Sequence, residues 1–148
     1  MKEKTQPRKK FAFSKKIEKK TDVVKETTPV VSQQETEQKD SLSMIKGVEN
    51  KSNESLTLNQ SDLEHNFKLQ NLENCQINLN GRMKTLYLKN LKGCTINIGV
   101  VEGPCFIDSL LDCKLQLVAH QVRIHNSKNT TFKLFATSKP IIEHCTQV

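Results

Sequence analysis

One feature narrows the folding options for this chain more than any other: an internal repeat. Leu69-Gln70-Asn71-Leu72-Glu73-Asn74-Cys75-Gln76-Ile77-Asn78-Leu79 aligns with Leu88-Lys89-Asn90-Leu91-Lys92-Gly93-Cys94-Thr95-Ile96-Asn97-Ile98 at an offset of 19 residues. A further 19 residues on, Ile107-Asp108-Ser109-Leu110-Leu111-Asp112-Cys113-Lys114-Leu115-Gln116-Leu117 repeats the same apolar positions and the same Cys. A fainter fourth copy starts at Ile124 after 17 residues, with Asn126 in place and Thr130, Phe132 and Leu134 in the Cys, Ile and Leu positions. A unit this short cannot bury its apolar side alone and must stack on its neighbours, which makes the fold a solenoid.

The period also selects the kind of solenoid. Helical repeats need about 33 residues or more, and no 3.6-residue periodicity is sustained here. Each copy instead carries a period-two stretch such as Cys75, Ile77, Leu79, the signature of a short strand. Leucine-rich repeats run to about 20–29 residues, but their L-x-x-L-x-L spacing is missing. The expectation is an all-β chain folded as a right-handed parallel β-helix, with two or three short strands per coil and equivalent residues stacked about 4.8 Å apart. Asn71, Asn90 and Asn126 then fall at bends, where Asn tolerates the left-handed conformation and can ladder to its equivalent in the next coil.

This texture occupies residues 56–148. Residues 1–55 are rich in Lys, Glu, Thr, Gln, Ser and Pro, with too little apolar material to offset the entropy of ordering them, so they read as a disordered basic tail and polar linker. Within the tail, Lys9 to Lys16 surrounds Phe11 and Phe13 with lysines; it reads as a solvated basic stretch or as a short adhesive segment. The net charge is +7, but residues 1–20 hold nine basic and two acidic residues, and the remainder holds fourteen of each. The basic balance therefore belongs to the tail and does not make the folded part a nucleic-acid binder. Five cysteines without a signal-peptide core point to a cytoplasmic protein with free thiols. No apolar run approaches the roughly 18 residues of a membrane span, and Lys2 after Met1 removes the myristoylation motif, so no membrane anchor is expected.

Cys75, Cys94 and Cys113 share inward positions among Ile and Leu, and no C-x2-C pair accompanies them, so they read as structural thiols and no metal site is expected. Cys105 and Cys145 carry no usable signal. No carboxylate pair, Ser-His-Asp set or phosphate loop supports an intrinsic active site. The segment Leu117 to His125 is more informative. With Val122 and Ile124 pointing inward, Gln121, Arg123 and His125 project outward together from one strand. The offsets of 17 and 19 stack Arg123 over Phe106 and Phe106 over Tyr87, an outward aromatic column beneath a cation of the kind that marks a partner site.

This segment and its flanks resemble the tubulin-binding cofactor C domain family. The matching motifs are Leu72 to Cys75 and Leu91 to Cys94, the turn Gly99-Val100-Val101-Glu102-Gly103-Pro104, the strand Val118-Ala119-His120-Gln121-Val122-Arg123-Ile124-His125, then Phe132-Lys133-Leu134 and Ser138-Lys139-Pro140-Ile141-Ile142-Glu143. The resemblance implies the same β-helix and a chain that acts on a GTP-binding protein. Arg123 would be an arginine finger and Gln121 its support. His120, where the family often has a further Gln, would join His125, Phe106 and Tyr87 in facing the partner. The chain would need no cofactor of its own, GTP and Mg being held by the partner. The implied partner is β-tubulin in the heterodimer, with tubulin cofactors D and E, and stimulated hydrolysis would release the heterodimer. The chain would act as a cytoskeleton-associated monomer. Two alternatives belong with this one: an activator of an Arf-like small GTPase, disfavoured by Lys2, and a non-catalytic scaffold like the β-helix of cyclase-associated protein, disfavoured by the Gln121-to-His125 strand. Val100 and Pro104 depart from the family's usual turn. The chain also stops at Val148 before a segment the family normally adds, which leaves Ile141 and Ile142 near an exposed edge.

Overall fold

A computed structural model describes residues 42–148, and these are almost entirely strand. In chain order the strands are β1 (Gly47–Ser52), β2 (Ser55–Asn59), β3 (Asn66–Glu73), β4 (Gln76–Met83), β5 (Thr85–Lys92), β6 (Thr95–Leu111), β7 (Lys114–His125), β8 (Thr131–Ala136) and β9 (Ile141–Glu143). Every pairing is parallel and joins a strand to its equivalent one coil away. One side stacks β1, β3, β5, the second half of β6, the second half of β7, and β9. Another stacks β2, β4, the first halves of β6 and β7, and β8. The parallel β-helix expected from the repeat is the fold. Coil length goes from 21 residues at Asn50 to Asn71, through 19 at Asn71 to Asn90, to 17 at Asp108 to His125, and is 18 at His125 to Glu143.

Two bends per coil are each made by a single residue in the left-handed region. Asn50, Asn71, Asn90, Ser109, Asn126 and His144 form one column, and Asn53, Asn74, Gly93, Asp112, Asn129 and Gln147 the other, with φ between 48° and 59°. Asn recurs because its short amide relieves that backbone cost and then bonds the coil above. Asn71 Nδ2 donates to Asn50 Oδ1 at 2.9 Å, and Asn90 Nδ2 to Asn71 Oδ1 at 3.0 Å. The expected bend positions Asn71, Asn90 and Asn126 all lie in the first column. The third corner is closed differently, by close approach: a Cβ on Gly99 would lie 2.3 Å from the Gly81 carbonyl oxygen one coil above.

Inside, Leu69, Leu88 and Ile107 stack in register, as do Ile77, Ile96 and Leu115, and all six are buried. Cys75, Cys94 and Cys113 form the interior row read from the repeat. Each thiol donates to the carbonyl two residues before it, at 3.3, 3.3 and 3.2 Å. Thr130 takes the same place in the last coil, its hydroxyl donating to the Lys128 carbonyl at 2.9 Å. Cys105 lies in the core as well, its thiol pushed up to about 12 by burial. Cys113 is pushed up too, by the neighbouring Cys94 thiol and by burial. Burial of this kind favours the neutral thiol.

Regular structure begins earlier than the change of texture at Leu56. β1 precedes it entirely and completes a first coil over β3. Residues 1–41, with the Lys9-to-Lys16 segment, lie outside the described residues. The first coil escaped the reading of composition because its apolar residues are few and Val48, Leu56 and Leu58 are only half-buried. A polar device ties it down instead. Lys68 is 4% exposed, and its ammonium reaches the Glu49 carboxylate and the Leu42 carbonyl, the latter at 2.8 Å. Removing one partner of a buried charge strands the other. Glu49→Ala is expected to lower stability by about 1–3 kcal/mol, less than for a fully buried pair because Glu49 is partly exposed. A thermal melt of the full chain checks this, and an unchanged midpoint would detach the first coil from the cooperative unit.

At the other end β8 and β9 each pair with β7 alone. Phe135, Ile141 and Ile142 are exposed there, which for the two isoleucines agrees with the expectation from the sequence. Among the described residues, no helix is long and apolar enough to cross a membrane.

Candidate functional site

Arg123 stands on the side built from β3, β5, β6, β7 and β9. In β7 the alternation runs Val122 buried, Arg123 exposed, Ile124 buried, so the two apolar neighbours anchor the strand and the guanidinium points outward. In register, Arg123 lies beside Phe106 on one flank and Ile141 on the other, and Phe106 lies beside Tyr87. The Tyr87 and Phe106 rings stack with centroids 5.2 Å apart and planes 14° from parallel. The column inferred from the offsets is therefore present, and it continues to Lys68 beyond Tyr87. Among the described residues, the Arg123 side chain has no hydrogen bond and no ion pair. A guanidinium left unneutralised can meet an anion on another molecule.

Gln121 and His125 flank Arg123 on the same outward face, both half-buried. His120 stands apart, at the corner where the alternation breaks between Ala119 and Val122. Its side chain is exposed, while its carbonyl accepts from the Ser138 amide at 3.2 Å and the Ser138 hydroxyl at 3.1 Å. Tyr87, Phe106, Gln121, Arg123 and His125 thus form one patch, with His120 at its rim. Asp108 belongs to the patch and was not singled out from the sequence: it is in register with His125, and its Oδ1 lies 3.3 Å from His125 Nδ1. The 17-residue offset that places Phe106 beside Arg123 also places Asp108 beside His125, so the signal was available. Ile141 was foreseen as an edge residue, and its place beside Arg123 was not.

Concavities of about 280 and 240 Å³ open near His65, the first beside Met44 to Lys46 and the second beside Arg82 to Lys84, and neither includes a residue of the Arg123 patch. A parallel β-helix carrying an outward Arg, unneutralised among the described residues and in register with an aromatic pair, defines the structural class: a β-solenoid with an exposed cation on one face.

Residues 64–148 match the family model described as Tubulin binding cofactor C, and the chain belongs to that family. It is similar to Tubulin-folding cofactor C of Arabidopsis thaliana, 38% identical over 77 residues, covering 52% of this chain and 22% of that protein. It is similar also to Tubulin-specific chaperone C of Homo sapiens, 30% identical over 107 residues (72% of this chain, 31% of that protein), and of Mus musculus, 29% identical over 97% of this chain and 45% of that protein. The chain thus spans from about a fifth to just under half of the length of these relatives.

Proposed function

We propose that this chain is a tubulin-folding cofactor C that activates GTP hydrolysis by β-tubulin through Arg123, acting with tubulin cofactors D and E to release the heterodimer. Family membership and the relatives' names support tubulin as the partner and folding as the process. The observation that carries the finer reading is Arg123 itself, exposed, free of ion pairs among the described residues, and in register between Phe106 and Ile141. A planar guanidinium entering the partner's nucleotide site stabilises charge on the transferring γ-phosphoryl group, worth about 10³–10⁵ in rate where it has been measured. The partner supplies GTP and Mg, and the chain supplies one charge and a docking face. Gln121 sits beside the finger to support it. The chain works as a monomer in the cytoplasm.

The test is phosphate release from GTP-loaded tubulin with cofactors D and E, with and without the chain, alongside capture of tubulin, Arf-like GTPases and actin from cytosol. Stimulated release with tubulin supports the proposal. Stimulation of an Arf-like GTPase alone, or capture of actin without any stimulation, replaces it with one of the other two readings.

The aromatic column makes a separate prediction. Phe106 is half-buried and its ring contacts lie outside the core, so Phe106→Ala should cost less than about 1.5 kcal/mol of stability. If the column is the docking wall, partner affinity should fall about tenfold or more, as for a central aromatic anchor. Titrating partner binding next to a thermal melt separates the two effects. A badly destabilised variant that binds normally would make Phe106 a core residue.

A further inference from the structure

We infer that the side of the β-helix built from β2, β4, the first halves of β6 and β7, and β8 is a second docking surface, whose occupant is an extended acidic segment of a partner protein with an apolar residue two places from an acidic one. This side is separate from the Arg123 patch and independent of the arginine-finger reading. No carboxylate occurs in β2, β4, β8, or the stretches Thr95 to Val101 of β6 and Lys114 to Ala119 of β7. In the upper coils, up to the corner at Arg82 and Val100, the outward residues are Ser, Thr, Asn and Gln, and Asn97 Nδ2 donates to Asn78 Oδ1 at 2.8 Å. Charge enters in the last two coils, as Lys114 on β7 and Lys133 on β8, both exposed and neither in an ion pair among the described residues. Lys114 stands two residues before Gln116, the register partner of Lys133, which sets the two lysines about 8 Å apart at the backbone. The carboxylates at the margins are already engaged: Glu54 by Lys51 at 2.7 Å, Asp62 by the Asn59 backbone amide at 2.9 Å, Glu102 by Arg82 at 3.9 Å, and Asp112 by the Asn129 side chain. Next to the lysines, Val100, Val118 and Phe135 form an outward column in register, the last two 41% and 72% exposed. Apolar side chains grouped on a surface mark a partner site. Lys133 and Phe135 lie two residues apart on one face, about 6.6 Å, the spacing at which an extended partner strand presents its own alternate side chains. Charge selects the occupant. A second copy docked through the same face would bring the same lysines and no carboxylate, and a nucleic-acid backbone is held by a longer row of cations than two.

The test titrates the full chain into a fluorescein-labelled peptide of repeated Glu-Thr-Leu-Thr units, which sets acidic and apolar side chains on one side at the required spacing, and into the same peptide with Gln for every Glu. The acidic peptide should bind about tenfold or more tighter than the neutral one. Lys114→Glu with Lys133→Glu should weaken its binding about tenfold, and Phe135→Ser about tenfold. Raising the ionic strength from about 0.1 to 1 M, which cuts the screening length from about 10 to 3 Å, should weaken it as well. Arg123→Ala should bind the peptide as the wild type does, so the result stands or falls apart from GTP hydrolysis. Thermal melts accompany each variant, and Lys114→Gln with Lys133→Gln, expected to weaken binding about threefold to fivefold, covers the case in which the charge reversals fail to fold. Equal binding of the neutral peptide, wild-type affinity in the lysine and Phe135 variants, or no binding up to about 1 mM peptide overturns the inference. So does a dimer of the chain alone in sedimentation velocity that Phe135→Ser dissolves, which gives the face to a second copy, and so does tighter binding of oligothymidylate that Phe135→Ser leaves unchanged, which gives it to nucleic acid.

Discussion

Arg123→Lys is expected to abolish stimulated GTP hydrolysis as completely as Arg123→Ala, with a loss of about 10³–10⁵ in rate for either, while the fold and partner binding persist. The separation follows from the strand. Val122 and Ile124 do the packing, and the Arg123 head group makes no contact whose loss would unfold the domain. A finger acts on charge that develops in the transition state, so its removal should leave ground-state binding nearly untouched. Lys is the sharper variant, because it keeps the positive charge and loses the planar fork that two phosphoryl oxygens can engage together. Phosphate release and heterodimer binding, measured side by side, check both halves. Wild-type stimulation by Arg123→Ala would leave the domain as a binding scaffold.

Leu88→Ala should do the reverse, unfolding the domain more readily without any direct effect on the chemistry. Leu88 is buried in the middle of the stack, in register with Leu69 on one side and Ile107 on the other, so the hole it leaves is walled by coils that cannot close over it. Such truncations cost about 2–5 kcal/mol. Ile142→Ala, at the open end where the side chain is already half exposed, should cost about 1 kcal/mol or less. Denaturant melts of the two variants would show whether stability is concentrated in the central coils. Equal losses would mean that the terminal coil is packed as tightly as the middle.

The architecture was legible because a repeat compounds its signal: three aligned Cys and three aligned pairs of apolar residues define a stacking offset even when each strand is too short to be recognised alone. The same offsets carried the Tyr87, Phe106 and Arg123 column from sequence to structure. The first coil was not legible. Its offset of 21 differs from the later 19, and its anchor is a buried Lys68 and Glu49 pair, which in a sequence looks like surface. The second column of bends was hidden for a related reason. Asn, Gly, Asp and Gln share those places because a single left-handed residue is the only requirement there. Asp108 was legible by the same offset of 17 that sets Phe106 beside Arg123, and only its pairing with His125 needed the structure.

The shortening of the coils from 21 to 19 to 17 residues gives the corner before Val122 an editorial role over everything downstream. Side chains along a strand alternate, so one residue inserted between Ala119 and Val122 would turn Arg123 into the core and put Val122 or Ile124 in its place outside. Two inserted residues would restore the alternation but slide Arg123 one step along the face, out of register with Phe106. The address of Arg123 is thus written as a length. Within this family, drift in that corner should be tolerated in the identity of residues far more readily than in their number.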